Sequence, residues 1–247
     1  MITAIRRFRD RVQNGNVGYI ASAIPTEEEL KTNIDELMRR LASFYIRYAD
    51  EVYKLRHKVG NLDITVVPYR DIAGETRLRN AAALPRDPGT IGELFDIYYG
   101  QKELHSRFGI PPGESLVVSP TEQYNGCYGW LWFEPLIKPP FVTVAQTGTI
   151  GEAFVQLEPC GVNDDCLILL PKKTKVIPVP VLLIAAAAIR LERWRFSYGR
   201  KLTPSRICQF PMPANDRLQR WVSEQITGWT ELSNAAVERY SNHLVAS

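Results

Sequence analysis

The stretch FVTVAQTGTIGEAFVQL, residues 141–157, reads as a strand, a tight connection and a second strand. Phe141 to Ala145 and Ala153 to Leu157 are short runs of β-branched, aromatic and small apolar residues. Thr147-Gly148 marks a turn between them. Gly148 and Gly151 are read as backbone requirements, because glycine enters left-handed geometry without steric cost. Working outward, Leu116 to Ser119 and Cys166 to Leu170 are further expected strands, and Asn125-Gly126 is a further turn. A helix is expected from Val181 to about Phe196, with Leu182, Ile184, Ala185, Ala188, Ile189 and Trp194 available for packing. These elements delimit a middle region of mixed α and β structure, residues 89–213, rich in Gly, Pro, Val and Thr.

On either side the period changes. Leu30, Ile34, Leu37, Leu41, Phe44, Tyr48, Val52, Leu55 and Val59 step by four or three, which places them on one face of a helix over residues 26–59. Pro25 and Thr26 open it, Glu27, Glu28 and Glu29 suit its N-terminal dipole, and Gly60-Asn61 closes it. Such a helix is about 50 Å long. It dominates an N-terminal helical region, residues 1–88. Leu218, Val222, Gln225, Trp229, Leu232, Ala236, Tyr240 and Leu244 repeat the pattern in a C-terminal helix, residues 214–247. The expected class is α+β: a mixed α/β domain flanked by long helices with coiled-coil-like pairing. The two helices either form an antiparallel pair, join another chain, or pack on the chain's own core.

Composition narrows the classes. With 45% hydrophobic and 23% charged residues, the 247-residue chain can build a core and is not compositionally disordered. The longest apolar stretch, Val176 to Ile189, is interrupted by Pro178 and Pro180 and is too short to span a membrane. Met1 to Arg11 is basic but leads into no apolar segment, so no secretory signal is read. Cys127, Cys160, Cys166 and Cys208 form no C-x-x-C pair, which argues against a zinc site or disulfide framework and suits a cytoplasmic protein. The net charge of +3 says little about partners, but its distribution says more. Arg190, Arg193, Arg195, Arg200, Lys201 and Arg206 face one acid, Glu192, with Trp194, Phe196 and Tyr198 interleaved. This reads either as a cationic patch for nucleic acid or as a solvated helix face.

Four segments of the middle region, taken in order, resemble the target recognition domains of type I restriction-modification specificity subunits. Residues 91–101, IGELFDIYYGQ, are similar to the opening of such a domain. Residues 142–154 are similar to its strand, Gly-Ser/Thr-x-Gly, strand signature, and residues 162–171 to its strand after an acidic turn. Arg195-Phe196-Ser197-Tyr198-Gly199-Arg200, with Ile207, Phe210 and Pro211-Met212-Pro213, is similar to its aromatic-Gly-basic stretch and closing hydrophobic-Pro segment. The resemblance implies a non-catalytic subunit that reads double-stranded DNA and directs a separate adenine methyltransferase, with a motor-nuclease subunit as a further partner. S-adenosylmethionine would belong to the methyltransferase, and this chain would hold no cofactor. A full specificity subunit has two recognition domains and this chain has room for one, which implies a half-subunit that forms a homodimer through its helices, or a reader of one half-site.

Base reading needs donors and acceptors on fixed elements. Gln123, Tyr124, Asn125 and Tyr128 form one polar-aromatic turn, Gln146, Thr147 and Thr149 a second, and Ser197, Tyr198, Arg200 and Lys201, with Arg195, a third. Arg200 and Lys201 are the foremost candidates for phosphate or base contact. Asn125 is either a contact or a turn former, and Tyr198 either a contact or core. Catalytic alternatives fit less well. Lys138-Pro139-Pro140-Phe141 ends like an adenine methyltransferase motif but begins with Lys, which has no acceptor for the amino group. Asp164-Asp165 lacks the following Glu-x-Lys of a nuclease and reads as a surface turn, and His57, His105 and His243 show no metal-ligand spacing. No Gly-x-Ser-x-Gly elbow is present. The other surviving class is a helical scaffold or assembly protein whose middle domain binds protein.

Overall fold

The computed structural model describes residues 25–52, 87–173, 176–197, 199–213 and 215–245. Leu55, His57, Val59 and Tyr198 lie outside them, as do the side chains of Ala236, Tyr240, His243 and Leu244.

The first helix, α1 (Glu27–Arg47), begins where the sequence places it. Thr26 accepts from the Glu29 amide and the Glu29 carboxylate accepts from the Thr26 amide, a reciprocal cap that satisfies two otherwise orphaned donors. Regular helix is interrupted by a turn at Tyr48 (φ −115°, ψ 34°) and resumes over residues 49–52, and the expected end at 59 lies outside the described residues. Leu30, Ile34 and Leu37 are buried beside α2 (Val179–Glu192) and α3 (Asp216–Val245), and Phe44, Tyr45 and Val52 are buried in a second core. Each such Leu or Ile contributes about 1.5–3 kcal/mol through burial. The apolar face of α1 is therefore covered by its own chain.

Of the three packing modes open at the sequence level, the antiparallel pair is corrected. Glu27 pairs with Arg217 at 3.5 Å, and Lys31 lies over the Trp221 ring at 5.1 Å. Both contacts advance from the N-terminal ends together, so α1 and α3 run in the same direction. Along the 30 residues of α3, Leu218 and Val222 are buried, Trp229 is half-buried and Leu232 is 64% exposed.

Two sheets lie beneath the helices. One contains β1 (Phe95–Tyr99), β4 (Phe141–Ala145), β5 (Ala153–Gln156) and β7 (Cys166–Pro171), in the order β1-β7-β4-β5 and antiparallel throughout. The other contains β2 (Pro112–Val118), β3 (Cys127–Leu131) and β6 (Gly161–Val162), in the order β3-β2-β6, with β6 parallel to β2. Alternation assigns the faces. In β7, Leu167 and Leu169 join the core under the helices, while Cys166, Ile168 and Leu170 join the core between the sheets. β7 is buried on both faces, which explains its unbroken apolar run.

The class is α+β. Four expected strands are present, with β2 beginning earlier than expected, and β1, β3 and β6 are additional. The helix expected over residues 181–196 ends at Glu192, where a 3-10 turn, Arg193–Arg195, takes over. Among the described residues no helix is long and apolar enough to cross a membrane.

Candidate nucleic-acid interface

The pairs Tyr99↔Leu167, Ala145↔Cys166 and Val144↔Ala153 bring the C-terminal ends of β1 and β4 and the N-terminal ends of β5 and β7 to one end of the four-stranded sheet. The β4–β5 loop leaving that end carries Gln146, Thr147 and Thr149, while Gln123, Tyr124, Asn125 and Tyr128 lie on the β2–β3 connection of the other sheet.

Residues 146–151 close tightly on themselves. Gly151 donates to Ala145 O at 2.9 Å and Glu152 to Thr149 O at 3.0 Å. Gly148 and Gly151 have φ of 62° and 82°, as a backbone requirement demands. At Gly151 a Cβ would lie 2.6 Å from Arg193 Cβ. The loop before β3 is held as firmly. Tyr124 and Asn125 both have positive φ, a costly geometry for non-glycine residues that local bonds hold in place. Asn125 Nδ2 donates to Val155 O at 2.9 Å, and Gln156 Nε2 donates to Asn125 O at 3.1 Å. Thr149 Oγ1 donates to Pro120 O at 3.2 Å, joining the two loops. The side chains of Gln123, Gln146 and Thr147 make no hydrogen bond among the described residues. They are free polar groups on fixed mounts.

A buried charge cluster stands behind both loops. Glu152 Oε2 lies 3.1 Å from Arg190 Nε, as an ion pair rather than an aligned hydrogen bond, and Glu152 also pairs with Arg193. Arg40 of α1 donates to Glu122 O at 2.7 Å and approaches Glu152 at 3.5 Å. One carboxylate thus ties α1, α2 and both loops together. Glu36 pairs with Arg40 and Arg190. Burial pushes its carboxyl up, but the charges and hydrogen bonds of the two arginines outweigh this and hold it below the ordinary value.

Several expectations change here. The cationic run divides: Arg190 is buried on Glu36 and Glu152, Arg193 pairs with Glu152, and Arg195 pairs with buried Glu192 at 2.9 Å. Arg195 and Asn125 leave the candidate set, since the guanidinium of one and the amide of the other are spent on internal partners. Ser197, Arg200 and Lys201 are exposed, and no carboxylate pairs with either cation among the described residues. Their segment is fastened elsewhere: Phe196 packs on Phe210 at 5.9 Å, and Arg206 donates to Lys201 O. Phe210 O in turn accepts from the Ile91 amide at 2.9 Å. The structure brings the first two polar groups together and anchors the third to the segment that precedes β1.

Sequence reasoning missed Arg47, whose guanidinium lies 4.0 Å from the Tyr124 ring centre and donates to the Tyr124 hydroxyl. The two residues are 77 positions apart, so no local pattern could have signalled the pair. It also separated His105 from Asp164. Their side chains meet at 3.0 Å, and with Asp165 they form a group whose ligand atoms lie within 4.8 Å of one another. His105 is mostly exposed, and its contact with Asp164 fastens residues 102–110 to the turn before β7. The thiols offer little reactivity: all are buried, and burial pushes Cys127 up to about 12.

No family model and no curated protein matches the chain. Among solved structures it is similar to a type I restriction-modification S subunit from M. genitalium, at 17% identity over 89% of this chain and 54% of that one, with a TM-score of 0.44. It is similar to an HsdS subunit from Thermoanaerobacter tengcongensis, at 17% identity over 91% and 58%, with a TM-score of 0.40. A third similarity is to a chain from a study of complex assembly and conformational transition in the type I R-M system, at 18% identity over 87% and 53%, with a TM-score of 0.36. The chain spans a little over half the length of the chains it matches.

Proposed function

We propose that this protein is a sequence-reading DNA-binding subunit, of the specificity class in restriction-modification systems, that directs a separate adenine methyltransferase. One observation carries the reading. Two loops from distant parts of the chain are joined at one end of a sheet, through Thr149 and Pro120, and present Gln123, Gln146 and Thr147 with their polar groups unspent. Paired donors and acceptors on rigid mounts are what base-edge recognition requires, and each bidentate contact is worth roughly 1–3 kcal/mol of discrimination. Tyr124, backed by Arg47, and exposed Tyr128 extend the same surface. Arg200 and Lys201, on their separate segment, serve as phosphate contacts that set register.

The helices supply the assembly surface. Leu232 is exposed on α3 beyond the part that packs on the body, where a second copy or the methyltransferase subunit would lie. S-adenosylmethionine belongs to that subunit, and a motor-nuclease subunit would complete a restricting complex. The test is selection from a random duplex pool by the purified protein, with and without a candidate methyltransferase subunit. Enrichment of a defined sequence supports the reading, and an unenriched pool in both arrangements contradicts it.

A further inference from the structure

Among the described residues the most exposed aromatic side chain is Phe108, 80% accessible in the segment between β1 and β2. A lone exposed Phe is unremarked on most surfaces. This one is braced. Its ring meets Tyr128 edge-on, at 5.9 Å between centres and 84° between planes. The Arg107 guanidinium lies 5.0 Å from the Phe108 ring and 4.8 Å from the Tyr128 ring. Among the described residues no carboxylate pairs with Arg107, so its charge is not neutralised internally.

The position links this cluster to both loops. Tyr128 follows the 124–126 turn by two residues. On its other side, His105 is held by Asp164, and the neighbouring Asp165 carbonyl accepts from the Gln146 amide at 2.8 Å. Residues 105–108 therefore connect to the first loop through Tyr128 and to the second through the acidic turn.

We infer that Phe108 is a base-stacking wedge, with Arg107 as the phosphate contact beside it. The inference rests on the DNA reading above and adds a contact that recognises nucleobase faces rather than edges. The chemistry selects the partner. An apolar protein surface would desolvate the Arg107 charge without compensation, and an acidic one would leave the Phe108 ring unused. A nucleic acid offers a π-face and a phosphate within one nucleotide step, and inserted apolar side chains unstack base steps in this way.

The experiment uses duplexes enriched from a random pool by the wild-type protein, titrated across a salt series with Phe108→Ala, Phe108→Trp and Arg107→Gln. Phe108→Ala is expected to weaken binding by about 5- to 100-fold with the salt slope unchanged, as loss of an uncharged stacking contact requires. Phe108→Trp restores binding, and Arg107→Gln lowers the slope by about 1. Wild-type affinity in Phe108→Ala overturns the wedge and leaves the DNA reading standing. If that variant instead loses a copurifying methyltransferase subunit and keeps DNA binding, the patch is a protein-docking surface. Failure of the wild-type protein to enrich any duplex removes the DNA reading itself.

Discussion

Two groups of basic residues in this molecule share a charge and little else. Arg190 and Arg193, at the end of α2, meet Glu152, and Arg190 also meets Glu36 on α1. Arg200 and Lys201, a few residues on, stand in solvent with no carboxylate partner among the described residues. In the sequence they form one basic run. In the fold Arg190 is structural, because burying a guanidinium without a counter-charge is prohibitive and Glu152, just before β5, supplies that charge, which the half-exposed Arg193 shares. Among the described residues, Arg200 and Lys201 contribute unpaired charge to the surface field that a phosphate backbone would meet.

The contrast can be tested by removing charges from each side. Glu152→Ala leaves Arg190 buried beside a cavity, and a stability loss of about 3–5 kcal/mol is expected by chemical denaturation, the cost typical of breaking a buried pair. A loss below 1 kcal/mol would mean that the cluster is solvated. Glu36 tests the same cluster by pH. Its folded-state pKa lies below the unfolded value, so its contribution is present above about pH 4.3 and lost as pH falls through the folded value. Glu36→Gln is therefore expected to flatten the fall of stability between about pH 5 and pH 3 relative to wild type. Parallel acid-denaturation curves would contradict this. The smallest effect on stability is expected at the surface. Arg200→Ala combined with Lys201→Ala should change it by no more than about 0.5 kcal/mol, while lowering the salt slope of DNA binding by about 2.

Much of the fold was legible because burial imposes local patterns. The helix start at Thr26, the unbroken apolar run of β7 and the glycine turn at 147–151 each follow from a few neighbouring residues. What covers an apolar face is not a local property. The periodicity of α1 marks Leu30, Ile34 and Leu37 as buried, but the same spacing suits an intramolecular core and a coiled coil. The site shows the same limit. Gln146 and Thr147 could be placed on a turn from sequence, whereas Arg47 over Tyr124, Arg107 between two rings, and the internal use of Asn125 depend on long-range packing. β1 and β3 escaped notice because Tyr98-Tyr99 and Gly129-Trp130 interrupt the short aliphatic runs by which the other strands were recognised.

The central claim is that the joined loops read bases while the exposed cations hold phosphates. Gln146→Ala and the Arg200, Lys201 double variant, compared on an enriched duplex and on random duplex, test it most directly. The account expects Gln146→Ala to lose affinity for the enriched duplex alone and to keep the salt slope, and the double variant to weaken both duplexes alike with a shallower slope. Equal losses on both duplexes for Gln146→Ala would contradict the assignment of base reading to these loops.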